Sequence, residues 1–222
     1  MNVLQDLIKK YASQYKEQVV EWRRHIHSHP ELSGEEKHTS LFIQTVLTKL
    51  GIPFVNDVSD YAVIGKIEGA HTGPVIALRA DIDALPIHEA TGLPFASKNE
   101  GVMHACGHDS HISIGLTLAH WIAERKDELK GKFKIVFQPA EEGVRGASAI
   151  AASGIVDDAD YFLGSHISFM ADSGEIVAAP YGLLCTSKFD VTFKGKPAHA
   201  GKEPNAGRNA LAAACNAVVQ MM

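Results

Sequence analysis

Val75-Ile-Ala-Leu-Arg-Ala80 runs straight into Asp81-Ile-Asp83, and the reading of this passage decides the fold. An apolar run of this length is a strand, and the two aspartates close it. Upstream, Tyr61 to Ile67 also reads as a strand, joined to the first by the turn-rich Glu68-Gly-Ala-His-Thr-Gly-Pro74. Residues 3 to about 28 read as an amphipathic helix with Leu4, Leu7, Ile8, Tyr11, Val19 and Trp22 on its apolar face, ended by Pro30. Ser33-Gly-Glu-Glu36 is a capping-box pattern that opens a second helix running to Leu50, stopped by Gly51 and Pro53. Downstream, residues 112–125 are helical, Phe133 to Phe137 is a short buried strand, Val144 to Ala152 a helix and Tyr161 to Ser165 another strand. Strands alternating with helices predict an α/β layer architecture with a largely parallel sheet and helices on both faces.

After about residue 180 the pattern changes. Ser187 to Phe193 alternates as a strand, Gly195-Lys-Pro197 is a turn, and Asn205 to Met222 reads as an alanine-rich helix that reaches the last residue without a cap. We therefore divide the chain at 1–180 and 181–222, and read the second part as a domain that is begun and cut short.

Composition bounds the partners. The chain has 222 residues, 45% of them hydrophobic, and so has material for a real core. Its 21 Lys and Arg against 26 Asp and Glu leave a net charge of −5. That balance argues against nucleic acid or an anionic membrane as partner, since both reward clustered basic residues. Cys106, Cys185 and Cys215 are far apart and odd in number, which predicts no disulfide framework and a reduced, cytoplasmic setting. The N-terminus has no apolar signal core, and no window approaches the roughly 20 apolar residues of a membrane-spanning helix.

The chemistry sits in His104-Ala-Cys-Gly-His-Asp-Ser-His111, which packs four metal-competent side chains into eight residues. Imidazole and thiolate are ligands that zinc and similar divalent metals prefer. His104, Cys106 and His108 alternate, so in an extended segment they point to one side, and a thiolate there is a plausible bridge between two ions. Glu141 and Glu142, in Gln138-Pro-Ala-Glu-Glu-Gly143, follow a strand, and Pro139 suits the first turn of a helix. Acidic residues commonly complement a helix N-terminus. The pair also offers two jobs, one carboxylate binding metal and its neighbour serving as general base. His166 closes the strand at Tyr161 as Asp81 and Asp83 close theirs, so four segments deliver ligand-type residues to one sheet edge.

Through these residues the chain resembles the M20 metallopeptidase family, in its amidohydrolase branch of N-acyl-amino-acid, hippurate, indole-acetyl-amino-acid and aminobenzoyl-glutamate hydrolases. The resemblance runs through Trp22-Arg-Arg-His-Ile-His27, Pro30-Glu-Leu-Ser33, Arg79 to Pro86, Met103 to His111, Gln138 to Gly143 and Pro197-Ala-His-Ala-Gly201, and covers nearly the whole chain. It implies a zinc-peptidase-like catalytic domain holding two divalent ions, Mn2+ or Zn2+, on Cys106, His108, Glu142 and His166, with Cys106 bridging. Glu141 is then the general base, and Asp83 helps to orient the site. It further implies an α/β lid through which the full-length protein dimerises, begun at about residue 181. His199 matches the lid histidine that reaches the partner subunit's site to stabilise the tetrahedral intermediate. The family's fifth ligand, a late histidine, has no counterpart here. The implied substrates are N-acyl or N-aroyl amino acids, cleaved to a carboxylate and a free amino acid. His104 and His111 become supporting residues.

Two rivals stand beside this reading. In a thiol hydrolase Cys106 would be the nucleophile, leaving Glu141 and Glu142 unexplained. In a truncated, catalytically silent fragment the chain would at most bind metal or associate through its partial lid, with an uncovered sheet edge inviting other chains.

Overall fold

A computed structural model of the protein describes residues 3–143, 146–168, 172–178 and 189–221. It divides into two compact units, Met1–Met170 and Ala171–Met222.

The first unit is an α/β layer structure. Helices α1 (Val3–His27) and α2 (Lys37–Lys49) precede strands β1 (Phe54–Val55), β2 (Val63–Glu68) and β3 (His71–Asp81). Helix α3 (His108–Glu124), strand β4 (Lys130–Gln138), helix α4 (Ala147–Ala152) and strand β5 (Tyr161–Gly164) follow. The sheet order is β1-β2-β4-β3-β5. β3 pairs in parallel with β4 and β5, whereas β1–β2 and β2–β4 are antiparallel, so the sheet is mixed rather than largely parallel. β2 and β3 are consecutive but do not pair, because β4 inserts between them and returns through α3 as a βαβ unit.

Alternation along the strands explains the two faces. Ile135 and Phe137 of β4, with Val63 and Ile67 of β2, pack with Ile43 and Leu47 of α2 and Ile112 and Leu116 of α3. Val136 and Ile64 point the other way, onto Ile150 of α4 and Ala62. Full burial of such side chains stabilises by roughly 1.5–3 kcal/mol each. Helix α1 lies against α3 with Tyr15 and Ile26 buried, although Leu7 and Ile8, expected on its apolar face, are exposed.

Several boundaries differ from expectation. Helix α3 begins at His108, inside the histidine run, because Gly107 (φ 86°) takes the left-handed conformation that turns the chain into the helix. His104 to Gly107 is therefore a turn and not an extended segment. Residues 139–143 also form turns, so Glu141 and Glu142 do not open a helix after Pro139. Of the expected Val144–Ala152 helix, Val144 and Arg145 lie outside the described residues, and α4 starts at Ala147. Ser33 and Glu36 make no capping box: Glu36 is the N-cap of α2 but provides no side-chain cap.

In the second unit, the expected strand at 187–193 is not formed over its described part, 189–193, and residues 187 and 188 lie outside the description. Lys196 and Arg208 bridge through paired backbone bonds of 3.0 and 2.9 Å. Helix α5 (Ala210–Met221) follows, and the Asn209 side chain accepts the Ala212 amide at 3.0 Å to cap it. Cys106 and Cys215 are free thiols, and Cys185 lies outside the described residues. Among the described residues no helix is long and apolar enough to cross a membrane.

Candidate metal centre

Because β3, β4 and β5 are parallel, their carboxyl ends share one edge of the sheet. Asp81 ends β3 and Asp83 follows it, Gln138 ends β4 two residues before Ala140, and His166 lies two residues beyond β5. The first turn of α3 arrives at the same edge with His108, and three overlapping groups result. Cys106, His108 and His166 form one, Asp81, His108 and His111 a second, and His108, Glu141 and Glu142 a third. Within each group the ligand atoms lie within 4.8 Å of one another.

His108 is common to all three and completely buried. Its Nδ1 donates to the Asp83 carbonyl at 2.9 Å, which leaves the lone pair on Nε2. Nε2 has no hydrogen-bond partner and lies 3.5 Å from Asp81 Oδ2 and 3.8 Å from Glu142 Oε1. Cys106 Sγ lies 3.4 Å from His166 Nε2. A buried imidazole nitrogen facing a thiol, a second imidazole and carboxylates is a donor set that fits a divalent cation.

The electrostatics agree. Burial, then the Glu142, Asp81 and Glu141 carboxylates, push the Cys106 thiol up to about 12. A thiol held that high is a poor nucleophile by itself, which counts against the thiol hydrolase, whereas a cation in this acidic cluster would favour its thiolate. Burial opposes protonation of His108, but Asp83, Asp81 and Glu142 outweigh it and raise its pKa.

Asp83 is buried and acts on the cluster from outside. Its Oδ2 accepts the Ser33 hydroxyl at 2.6 Å and the Glu142 amide at 2.9 Å. Burial alone would raise its pKa. The donors facing it, His108 first, then the Glu142 amide, Ser33 and the Glu141 amide, reverse this and hold it at about 2.

His111 belongs to a metal-like group but has no lone pair to give. The Ile167 amide donates to its Nε2 at 3.0 Å, so Nδ1 carries the proton and donates to Asp81 Oδ1 at 2.5 Å. It ties the segment bearing His166 to the end of β3. Asp81 is further held by Arg79 at 2.9 Å, and Arg79 Nε reaches Gln138 Oε1 on β4 at 2.7 Å. His104 is buried with neither ring nitrogen hydrogen-bonded, and burial lowers its pKa to about 4, so it stays neutral beside the site. Asp109, the residue after His108, accepts Arg23 and His27 of α1, each at 2.7 Å. That pair of contacts locks the first turn of α3.

The structure thus brings together Cys106, His108, Glu141, Glu142 and His166, with Asp83 alongside. His199 belongs to the second unit, where it is exposed and its Nδ1 accepts the Gly201 amide at 3.2 Å. The sequence reading missed the contributions of Ser33, Glu36, Arg23 and Asp109. The i, i+3 spacing of His108 and His111 on α3 was one available signal, since residues so spaced share a helix face. A cleft of about 410 Å3 lined by His25, His29, Glu31, His38 and Asn99 shares no residue with this cluster.

Comparison with known proteins agrees with this centre. A p-aminobenzoyl-glutamate hydrolase homolog of Haemophilus influenzae is 57% identical over 165 residues, covering 71% of this chain and 39% of that protein. The N-acetyl-L-cysteine deacetylase of Bacillus subtilis is 41% identical over 218 residues, covering 93% of this chain and 51% of the relative. The crystal structure of a dinuclear metal-binding peptidase of the M20 family, also from Bacillus subtilis, superposes with a TM-score of 0.68 at 41% identity, over 70% of this chain and 44% of that one. The chain therefore spans about two fifths to one half of the length of these proteins. Residues 77–221 match the profile of peptidase family M20/M25/M40. On that match, and on its identity to these relatives, the chain belongs to peptidase family M20/M25/M40.

Proposed function

We propose that this chain carries the metal-binding half of an amidohydrolase that cleaves N-acyl or N-aroyl amino acids to a carboxylate and a free amino acid. The observation that carries the reading is the convergence of Cys106, His108 and His166 with Glu141 and Glu142 at the carboxyl edge of the sheet. The names of the relatives support the substrate class, since an N-acetyl amino acid and an aroyl amino acid share one amide linkage.

Cys106, His108, Glu142 and His166 would hold two divalent ions, Mn2+ or Zn2+, with Cys106 between them. Such ions supply Lewis acidity toward the scissile carbonyl and the attacking water. Glu141 is exposed beside Glu142, so its carboxylate faces both substrate and solvent. It takes the proton of the attacking water and returns it to the nitrogen of the departing amino acid. Asp83 keeps His108 and the Glu142 backbone in place through the contacts above. In the full-length protein, His199 stabilises the oxyanion from a partner subunit, and a lid beginning at about residue 181, after a catalytic part at 1–180, forms that dimer. A reduced, cytoplasmic setting suits the free Cys106 thiol.

A second reading, metal binding without turnover, is favoured by β5. Among the described residues it pairs only with β3 and leaves Tyr161, Phe162 and Leu163 exposed. One experiment separates the two. The chelated protein is reloaded with Mn2+ or Zn2+, its metal content is measured, and hydrolysis of N-acetyl and N-aroyl amino acids is assayed. Turnover that returns with metal supports the amidohydrolase, and stoichiometric metal without turnover supports the second reading. Metal content unchanged in Cys106→Ser would remove Cys106 as a ligand.

A further inference from the structure

Glu36 is a fully buried carboxylate that neither the helix it precedes nor the chemistry above uses. Its side chain reaches 104 residues along the chain, where Oε1 accepts the Ala140 amide at 2.7 Å. Ala140 lies between Pro139 and Glu141 and has φ 54°, the left-handed conformation that residues with a Cβ seldom adopt. The turn is held from its other side as well, by the Gly146 amide donating to the Ala140 carbonyl at 2.9 Å. Three residues before Glu36, Ser33 donates to Asp83, whose same oxygen accepts the Glu142 amide. The Ser33–Glu36 loop therefore grips the segment carrying Glu141 and Glu142 both directly, at Ala140, and through Asp83. Strained backbone persists where its surroundings over-determine it.

We propose that Glu36 is a positioning residue for the Glu141–Glu142 turn, its buried carboxyl oxygen holding Ala140 in the left-handed conformation that turns both glutamates toward His108. The inference rests on the metal-centre reading of Glu141 and Glu142 and adds the device that sets their direction. The second oxygen, Oε2, is buried without a hydrogen-bond partner, so a single acceptor oxygen does the holding. Burial, with Asp83 nearby, raises the Glu36 pKa, which favours a neutral group whose role an amide can fill.

The test compares two variants of nearly equal size. Glu36→Gln keeps an acceptor oxygen, and Glu36→Met fills the space without one. Mn2+ affinity by titration calorimetry should stay near wild type in Glu36→Gln and fall about 10–100-fold in Glu36→Met, the usual loss when an outer partner of a ligand is removed. Where turnover is present, kcat should fall in Glu36→Met with KM unchanged. Hydrogen exchange at the Ala140 amide should accelerate in Glu36→Met and not in Glu36→Gln. If the wild type binds no Mn2+, the metal reading fails while the exchange measurement still decides the role of Glu36. Equal behaviour of the two variants overturns the proposal. So does outright unfolding of Glu36→Met beside a folded Glu36→Gln, because the carboxyl would then serve the fold and not the turn.

Discussion

At the end of the sheet where β2 leads into β3, the chain is held mainly by its own backbone. The Gly69 amide donates to Gly131 at 2.9 Å, the Ala70 amide to Lys126 at 2.8 Å and the His71 amide to Leu129 at 3.3 Å. Charged side chains there, Glu68, Lys130 and Lys132, stand in water. At the opposite end side chains take over, and they are buried: Asp81, Asp83, His104, His108, Asp109 and His111. Buried ionisable groups are destabilising to desolvate even when paired, and the same sheet shows at its other end that it can be closed without them. Departures from the simpler solution mark where a protein gives up stability for function. Perturbing each end should therefore damage a different property.

The largest effect is expected from Glu141→Gln. Loss of a general base lowers kcat by about 10^2–10^4-fold, and metal content should be unchanged because Glu142, not Glu141, is the proposed ligand. Steady-state kinetics with metal analysis checks both. Substantial residual turnover would remove Glu141 as the base, and lost metal would make it a ligand.

Gly131→Ala is the matching lesion at the backbone end. Gly131 has φ 88°, and a Cβ built there would lie 2.0 Å from the Pro74 carbonyl oxygen, so both conformation and contact forbid it. A cost of roughly 2–4 kcal/mol is expected by denaturant unfolding, with the Mn2+ affinity of the folded protein unchanged. A change in that affinity would mean that the two ends are coupled through the strands.

The same contrast explains what the sequence could disclose. Val75 to Ala80 and Phe133 to Phe137 were legible as strands because their apolar runs report burial directly. Cys106, His108, Glu142 and His166 stood out because their chemistry is costly to carry without use. Pairing was not legible. Nothing in β2 or β3 says that β4 will lie between them, since alternation specifies faces and not neighbours. Ser33 and Glu36 fit a local capping rule, yet their side chains found Asp83 and Ala140, which only the fold brings near. The start of α3 was read four residues late because Gly107 opens it with a left-handed turn in place of an ordinary cap.

Asp83→Asn tests whether the polar end draws stability from charge. The folded-state pKa of Asp83 is lowered from 3.8 to about 2. A depressed carboxylate contributes stability above its unfolded pKa and loses it as pH falls through the folded one. In chelated protein the variant should therefore be less stable by about 2 kcal/mol near neutral pH. That gap should close between about pH 4 and pH 2. Urea unfolding across this range measures it. A gap independent of pH would assign the loss to packing and not to charge.

The smallest effect belongs to the one ion pair bridging strands at the backbone end among the described residues. Lys132 Nζ lies 3.5 Å from Glu68 Oε1, with the two side chains 58% and 74% exposed. Water screens such a pair and the side chains lose entropy in forming it, so Lys132→Ala should cost less than about 0.5 kcal/mol and nothing measurable in 1 M salt. The contact is an acid–base pair like that of Arg23 and Asp109, but there the carboxylate is completely buried. Burial, not pairing, is thus the variable that separates the ends. If Lys132→Ala cost as much as Asp83→Asn, charge would count equally at both ends, and the buried cluster could no longer be read as the place where this sheet gives up stability for a metal centre.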